Sequence, residues 1–120
     1  MSYKILIVEN NVEASDLLLM WLGIEEYDIV CARDGQEGFD LALTEKPDLI
    51  LTDLSMPNVD GVTMIRMVRN EPQLASIPVV VLTASYSELV TQAIDSGANA
   101  VTYKPVIIEQ LFRVIKELLP

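Results

Sequence analysis

The chain has 120 residues, 8 basic and 18 acidic side chains, a formal net charge of −10, no histidine and one cysteine. An apolar content of 51% suits one folded domain over residues 1–120, and the strong negative charge argues against direct binding of nucleic-acid phosphates. Without histidine there is no Ser-His-Asp or Cys-His mechanism and no His-ligated zinc, and Cys31 alone makes neither an internal disulfide nor a CxxC site.

Taken in chain order, short β-branched runs alternate with segments of helical spacing. Residues 5–8 form a first strand candidate, too short for a signal-peptide core or a membrane span. Asn10 is a candidate cap for a first helix, with Glu13 completing a capping-box pair. In that helix Leu17 to Leu22 are all apolar. Ala14, Leu17, Leu18, Trp21 and Leu22 share one face, which leaves Val12, Leu19 and Met20 opposite as an expected docking patch. A second strand at 28–31 precedes a helix from Gly35 to Lys46, stopped by Pro47. A third strand at 49–52 leads to a helix that starts near Asp60-Gly61 and ends before Pro72. A fourth strand at 79–83 precedes a helix from about Ser87 to Ser96, closed by Gly97. A fifth strand at 100–103 leads to a helix over 106–119, whose apolar residues span an arc of roughly 160°. Four of the five strands are apolar with little alternation, as expected of parallel strands covered on both faces. Five strand–helix units predict an α/β doubly wound sheet.

In such a sheet, ligands bind outside the carboxyl ends of the strands. Strand one ends in Glu9-Asn10, strand three in Asp53 and strand four in Thr83, and Lys104-Pro105 follows strand five. Carboxylates with a carbonyl oxygen suit Mg²⁺, and a carboxylate can attack phosphorus to give an aspartyl phosphate. Such a transfer needs positive charge on the phosphoryl oxygens and a fixed line of attack. Lys104 and Mg²⁺ supply charge, and the Thr83 hydroxyl can bond a phosphoryl oxygen. The turn-rich segment after Asp53 leaves that carboxylate at the mouth of a tight loop.

The motifs that carry a family likeness are Ile5-Leu6-Ile7-Val8-Glu9-Asn10, Asp48-Leu49-Ile50-Leu51-Thr52-Asp53-Leu54-Ser55-Met56-Pro57 with Asp60-Gly61, Ile77-Pro78-Val79-Val80-Val81-Leu82-Thr83-Ala84, Gly97-Ala98-Asn99-Ala100, and Lys104-Pro105. In this order and at these intervals the sequence resembles a response-regulator receiver domain of two-component signalling over its whole length. The resemblance implies a flavodoxin-like (βα)5 fold with strand order 2-1-3-4-5. It implies Asp53 as phosphoacceptor and Mg²⁺ held by Glu9, Asn10, Asp53 and the Ser55 carbonyl. It implies Thr83 and Lys104 on the phosphoryl group, and a cis Lys104–Pro105 bond. It further implies a cytoplasmic signalling module rather than an enzyme. The phosphodonor would be a sensor histidine kinase or histidine phosphotransfer protein, docking near the first helix. A downstream partner or a second copy would bind the face formed by helix 4, strand 5 and helix 5. Direct binding to nucleic acid or membrane is not expected. Ser55 and Ser85 occupy positions that tune the phosphoryl lifetime in the family.

Two positions depart from the family pattern. Asn10 stands where a second carboxylate usually binds the metal, so weaker Mg²⁺ binding is expected. Val101 stands where an aromatic residue usually reports phosphorylation, with Tyr103 two residues on and on the same face. These departures keep open an alternative: a degenerate receiver that binds partners without phosphorylation. An aspartyl-phosphate hydrolase is disfavoured because Ser55 replaces the second acid that class needs. A flavodoxin-like electron carrier is disfavoured because Glu9-Asn10-Asn11-Val12 is not a phosphate loop. The sequence fits either a stand-alone receiver or a domain of a longer chain.

Overall fold

The computed structural model describes residues 2–84 and 88–120. Five strands alternate with five helices: β1 (Lys4–Val8), α1 (Val12–Ile24), β2 (Asp28–Ala32), α2 (Gly35–Glu45), β3 (Leu49–Thr52), α3 (Gly61–Asn70), β4 (Val79–Thr83), α4 (Glu88–Ser96), β5 (Ala100–Tyr103) and α5 (Ile108–Leu118). All neighbouring strands are parallel, in the order β2-β1-β3-β4-β5. The β1 register, with Val8 opposite both Ala32 and Thr52, brings the carboxyl ends of three strands level.

Side chains alternate across a strand, and this divides the core in two. Ile5 and Ile7 of β1, Leu49 and Leu51 of β3, and Val80 and Leu82 of β4 face α1 and α5, where they meet Leu18, Leu22, Leu111 and Ile115. Leu6, Val8, Ile50, Val79 and Val81 face α2, α3 and α4, where they meet Ala42, Met64, Ile65, Val68, Val90 and Ala93. A strand buried on both sides must be apolar at every position. This is why the sequence shows continuous runs rather than alternation.

Capping departs from the sequence reading at the first helix. Asn11, not Asn10, is the N-cap; it has extended backbone and its Oδ1 accepts from Ala14 N at 2.9 Å. Asn10 lies one residue too early, and its side-chain nitrogen lies 3.5 Å from the Arg33 carbonyl. The residue three after the true cap is Ala14, so Glu13 closes no capping box. Asp34 and Asp60 cap α2 and α3, accepting from Glu37 N and Thr63 N. Lys46 closes α2 with positive φ just before Pro47.

Leu17 also departs from expectation. The sequence pattern puts it on the buried face of α1, yet it is 46% exposed. Ser15, Leu18 and Leu22 fill the inward arc, and Leu17 lies a further 100° round the helix. With Met20 and Ile24 it forms an outward apolar stripe at helical spacing. Val12 and Leu19 are exposed as expected. The last helix begins at Ile108 rather than 106, and the Lys104–Pro105 bond ahead of it is cis as expected. Gln110 N and Leu111 N both bond the Ile107 carbonyl, and Ile107 itself is exposed. Gly97 closes α4 with φ of +118°. The expected helix start at Ser87, and Ser85, lie outside the described residues. Among the described residues no helix is long and apolar enough to cross a membrane.

Candidate phosphoacceptor site

Each strand delivers its final side chains to one edge of the sheet, and three charged groups meet there. Glu9 follows β1 directly; its N–H bonds the Ala32 carbonyl at 3.0 Å and its side chain is buried. Asp53 follows β3, and its N–H bonds the Val8 carbonyl at 3.0 Å. Lys104 follows β5, and its N–H bonds the Thr83 carbonyl at 2.8 Å. Backbone pairing therefore fixes all three residues before any side-chain contact is made.

The Lys104 ammonium bridges the two acids. Nζ lies 2.8 Å from Glu9 Oε1 and 3.3 Å from Asp53 Oδ2. The remaining oxygens are also held: Glu9 Oε2 accepts from Asn11 N at 3.1 Å, and Asp53 Oδ1 from Leu54 N at 2.7 Å. Burial acts most strongly on Lys104 and disfavours its charge. The Glu9 hydrogen bond, the Asp53 and Glu9 charges and the Asp53 hydrogen bond together outweigh burial, so the Lys104 pKa is raised.

The loop after β3 presses against Asp53. The Gly61 N–H bonds the Leu54 carbonyl at 3.0 Å, and a Cβ on Gly61 would stand 2.2 Å from the Asp53 carbonyl oxygen. Only glycine lets α3 begin that close. The same loop is tied to the one after β2. Asn58 donates to Asp34 Oδ2 at 3.0 Å, and Gly35 N–H bonds the Val59 carbonyl at 2.8 Å.

The expected residues are distributed as follows. Glu9, Asp53 and Lys104 are in direct contact. Thr83 ends β4, is buried and is linked to Lys104 through its backbone. Asn10 is exposed beside Glu9, and Ser55 is exposed in the loop after β3. Val101 and Tyr103 both pack on the α2–α4 side of the sheet. One further residue at this edge escaped the sequence reading. Arg33, after β2, places Nη1 3.5 Å from the Glu9 carbonyl; its place at a strand's carboxyl end is the signal that marks it in the sequence. Leu17, Trp21 and Pro105 line an apolar cavity of about 270 Å³ that also touches Glu9 and Lys104.

A metal ion would find two carboxylates here. Among the described residues no group of three or more acidic, cysteine or histidine side chains is placed to hold one. Two carboxylates with an amide and a backbone carbonyl still fit a hard ion such as Mg²⁺, which keeps several of its waters.

Residues 5–116 match the family model described as response regulator receiver domain. The DNA-binding dual master transcriptional regulator RpaA of Synechocystis is 38% identical over 117 residues, 97% of this chain but 48% of that protein. The chain thus spans about half the length of this curated relative. The receiver domain of a signal transduction histidine kinase from Syntrophus aciditrophicus is 31% identical with a TM-score of 0.92, over 98% of this chain and 90% of that one. The receiver domain of sensor histidine kinase PA1611 from Pseudomonas aeruginosa shares the fold at 24% identity and a TM-score of 0.92, over 98% of both chains, and holds a magnesium ion in its active-site cleft.

Proposed function

The chain belongs to the response regulator receiver domain family of two-component signalling, and we propose that Asp53 is its phosphoacceptor. One observation carries this reading: Lys104 Nζ spans Asp53 and Glu9 at 3.3 and 2.8 Å, so a cation already sits where phosphoryl charge would develop. An Asp53 carboxylate oxygen attacks phosphorus, and the bond from phosphorus to the donor breaks. A phosphohistidine donor then leaves as imidazole, which takes up a proton. Residues 1–120 hold no histidine, so the donor lies outside them, on a sensor histidine kinase or histidine phosphotransfer protein.

Glu9, Asn10, Asp53 and the Ser55 carbonyl would hold Mg²⁺, which supplies positive charge to the phosphoryl oxygens when bound. Lys104 moves its hydrogen bond from Asp53 Oδ2 to the new phosphoryl group, and the Thr83 hydroxyl bonds another oxygen. Those shifts favour one of two conformations, which makes the domain a signalling module rather than an enzyme. The phosphodonor docks on the exposed stripe of α1 beside the apolar cavity at Leu17, Trp21 and Pro105. A downstream partner or a second copy docks on α4, β5 and α5, where a groove of about 430 Å³ runs between Tyr103, Ile107 and Val114. Residues 1–120 act as a single cytoplasmic domain that touches neither membrane nor nucleic acid directly.

Incubation with acetyl phosphate at graded Mg²⁺, followed by intact mass, tests the acceptor. One added phosphoryl group is expected, lost in Asp53→Asn and abolished by chelation. No adduct at any Mg²⁺ concentration would favour the rival reading, a receiver that binds partners unphosphorylated. Asn10 and Val101 are the residues that speak for that rival.

A further inference from the structure

Arg33 stands at the carboxyl edge of the sheet and has no part in the reading above. Its backbone is bracketed: its N–H lies 3.3 Å from Glu37 Oε1, and its carbonyl lies 3.5 Å from the Asn10 side-chain nitrogen. Its side chain is exposed, with Nη1 3.5 Å from the Glu9 carbonyl. Among the described residues no carboxylate forms an ion pair with it. The strand order β2-β1-β3-β4-β5 puts Arg33 at one side of the acids and Lys104 at the other, with Glu9 and Asp53 between.

Charge then decides what this arrangement favours. Glu9 and Asp53 against Lys104 leave one net negative charge, and Arg33 cancels it. An aspartate in place of Asn10 would restore it. A guanidinium near the Glu9–Asn10 turn repels Mg²⁺ and attracts a phosphoryl group, and its planar donors suit phosphate oxygens. Asn10 and Arg33 therefore act in the same direction: the site gives up metal affinity, and the protein itself supplies more of the positive charge that meets the phosphoryl group.

We propose that Arg33 is a phosphoryl-recognition residue, meeting the anionic phosphoryl group from the β2 side while Lys104 meets it from the β5 side. This rests on Asp53 being the acceptor. The transfer itself is unchanged: the Asp53 oxygen–phosphorus bond forms, the donor–phosphorus bond breaks, and Arg33 neither gains nor loses a proton.

The test uses the full chain with Arg33→Ala and Arg33→Lys. Calorimetry gives the Mg²⁺ affinity without reference to activity. Beryllofluoride, an anionic phosphoryl mimic, is titrated at saturating Mg²⁺, and acetyl phosphate gives the transfer rate. Arg33→Ala should bind Mg²⁺ about two- to five-fold more tightly, the size expected of one exposed charge. It should bind beryllofluoride, and react with acetyl phosphate, two- to five-fold less well. Arg33→Lys should fall between. The opposite signs matter, because a merely structural arginine would move both affinities together or neither. Either of those results, with the wild type phosphorylated normally, overturns the Arg33 assignment alone. A wild type that takes neither acetyl phosphate's phosphoryl group nor beryllofluoride overturns the acceptor reading and this one with it.

Discussion

Two cations organise the two ends of this sheet, and they are satisfied in opposite ways. At the carboxyl edge Lys104 is held by two carboxylates, Glu9 and Asp53. Near the start of β4, Arg69 of α3 donates to the Gly97 carbonyl at 3.1 and 2.9 Å, to Ala75 and Ile77 carbonyls at 3.1 and 2.7 Å, and to Asn99 Oδ1 at 2.9 Å. Asn99 Oδ1 also accepts from Val79 N at 2.8 Å. Every Arg69 partner is neutral and part of, or bonded to, the backbone. Nothing arriving from solution offers these groups a better partner, so the knot is a clamp. Lys104, by contrast, holds charges that a divalent cation or a phosphoryl group can compete for. A polar knot becomes a binding site when its partners are exchangeable.

The largest effect should come from breaking the clamp. Arg69→Ala strands the carbonyls of Ala75, Ile77 and Gly97 and loosens Asn99, which together join α3, α4 and the entry to β4. With several neutral hydrogen bonds lost at once, destabilisation of about 3–4 kcal/mol is expected in urea unfolding. Phosphoryl uptake by the folded fraction should be unaffected. A loss below about 1 kcal/mol would show that water replaces the guanidinium and that the clamp is not structural.

Lys104→Met should cost less, about 1–2 kcal/mol, because the ammonium is partly solvated even though Glu9 is left buried and unpaired. Added Mg²⁺ should then raise the unfolding midpoint more in Lys104→Met than in the wild type, since the lysine no longer competes for the same carboxylates. The sign with pH follows from the raised pKa. Stabilisation by Lys104 is complete below its ordinary value of 10.5 and is lost as pH rises through the higher folded value. The wild-type advantage should therefore be flat through neutral pH and close only in strongly alkaline solution. An advantage that closed near neutrality would contradict the bridged geometry.

The contrast between the two knots also explains what could be read from the sequence. The three central strands β1, β3 and β4 were the most legible, because residues buried on both faces must be continuously apolar. The acidic and basic residues that follow strand ends were legible because the fold puts those ends at one edge. That Lys104 bridges Glu9 and Asp53 was not, since its partners lie 95 and 51 residues away and either acid alone could have paired with it. The clamp left still less trace. Arg69 binds backbone carbonyls, which every residue carries, and only Gly97 marks the place: a Cβ there would stand 2.8 Å from Arg69 Nε. The cap falls on Asn11 rather than the expected Asn10 because either side chain can serve, and only the backbone turn decides. Leu17 was misplaced because six successive apolar residues leave the helix no polar edge by which to set its rotation.

The smallest effect probes a third polar group that sits between these two kinds. Asp34 caps α2 through Glu37 N and also accepts from Asn58, so it ties the loop beside Arg33 to the loop after Asp53. Its hydrogen bond from Glu37 is the main cause of a lowered pKa, reinforced by Asn58 and opposed by burial. The sign is the mirror image of Lys104: its stabilisation is present above the ordinary value of 3.8 and is lost as pH falls through the lower folded value. Asp34→Asn keeps an oxygen for Glu37 N but removes the charge. At neutral pH the variant should unfold slightly below the wild type. In acid the wild-type midpoint should fall toward that of Asp34→Asn, because the carboxylate advantage disappears there. The experiment is a thermal scan of both proteins from neutral pH down to about pH 3. A gap that stays constant across that range would mean that the cap is held by geometry alone, as the Arg69 clamp is, and not by charge.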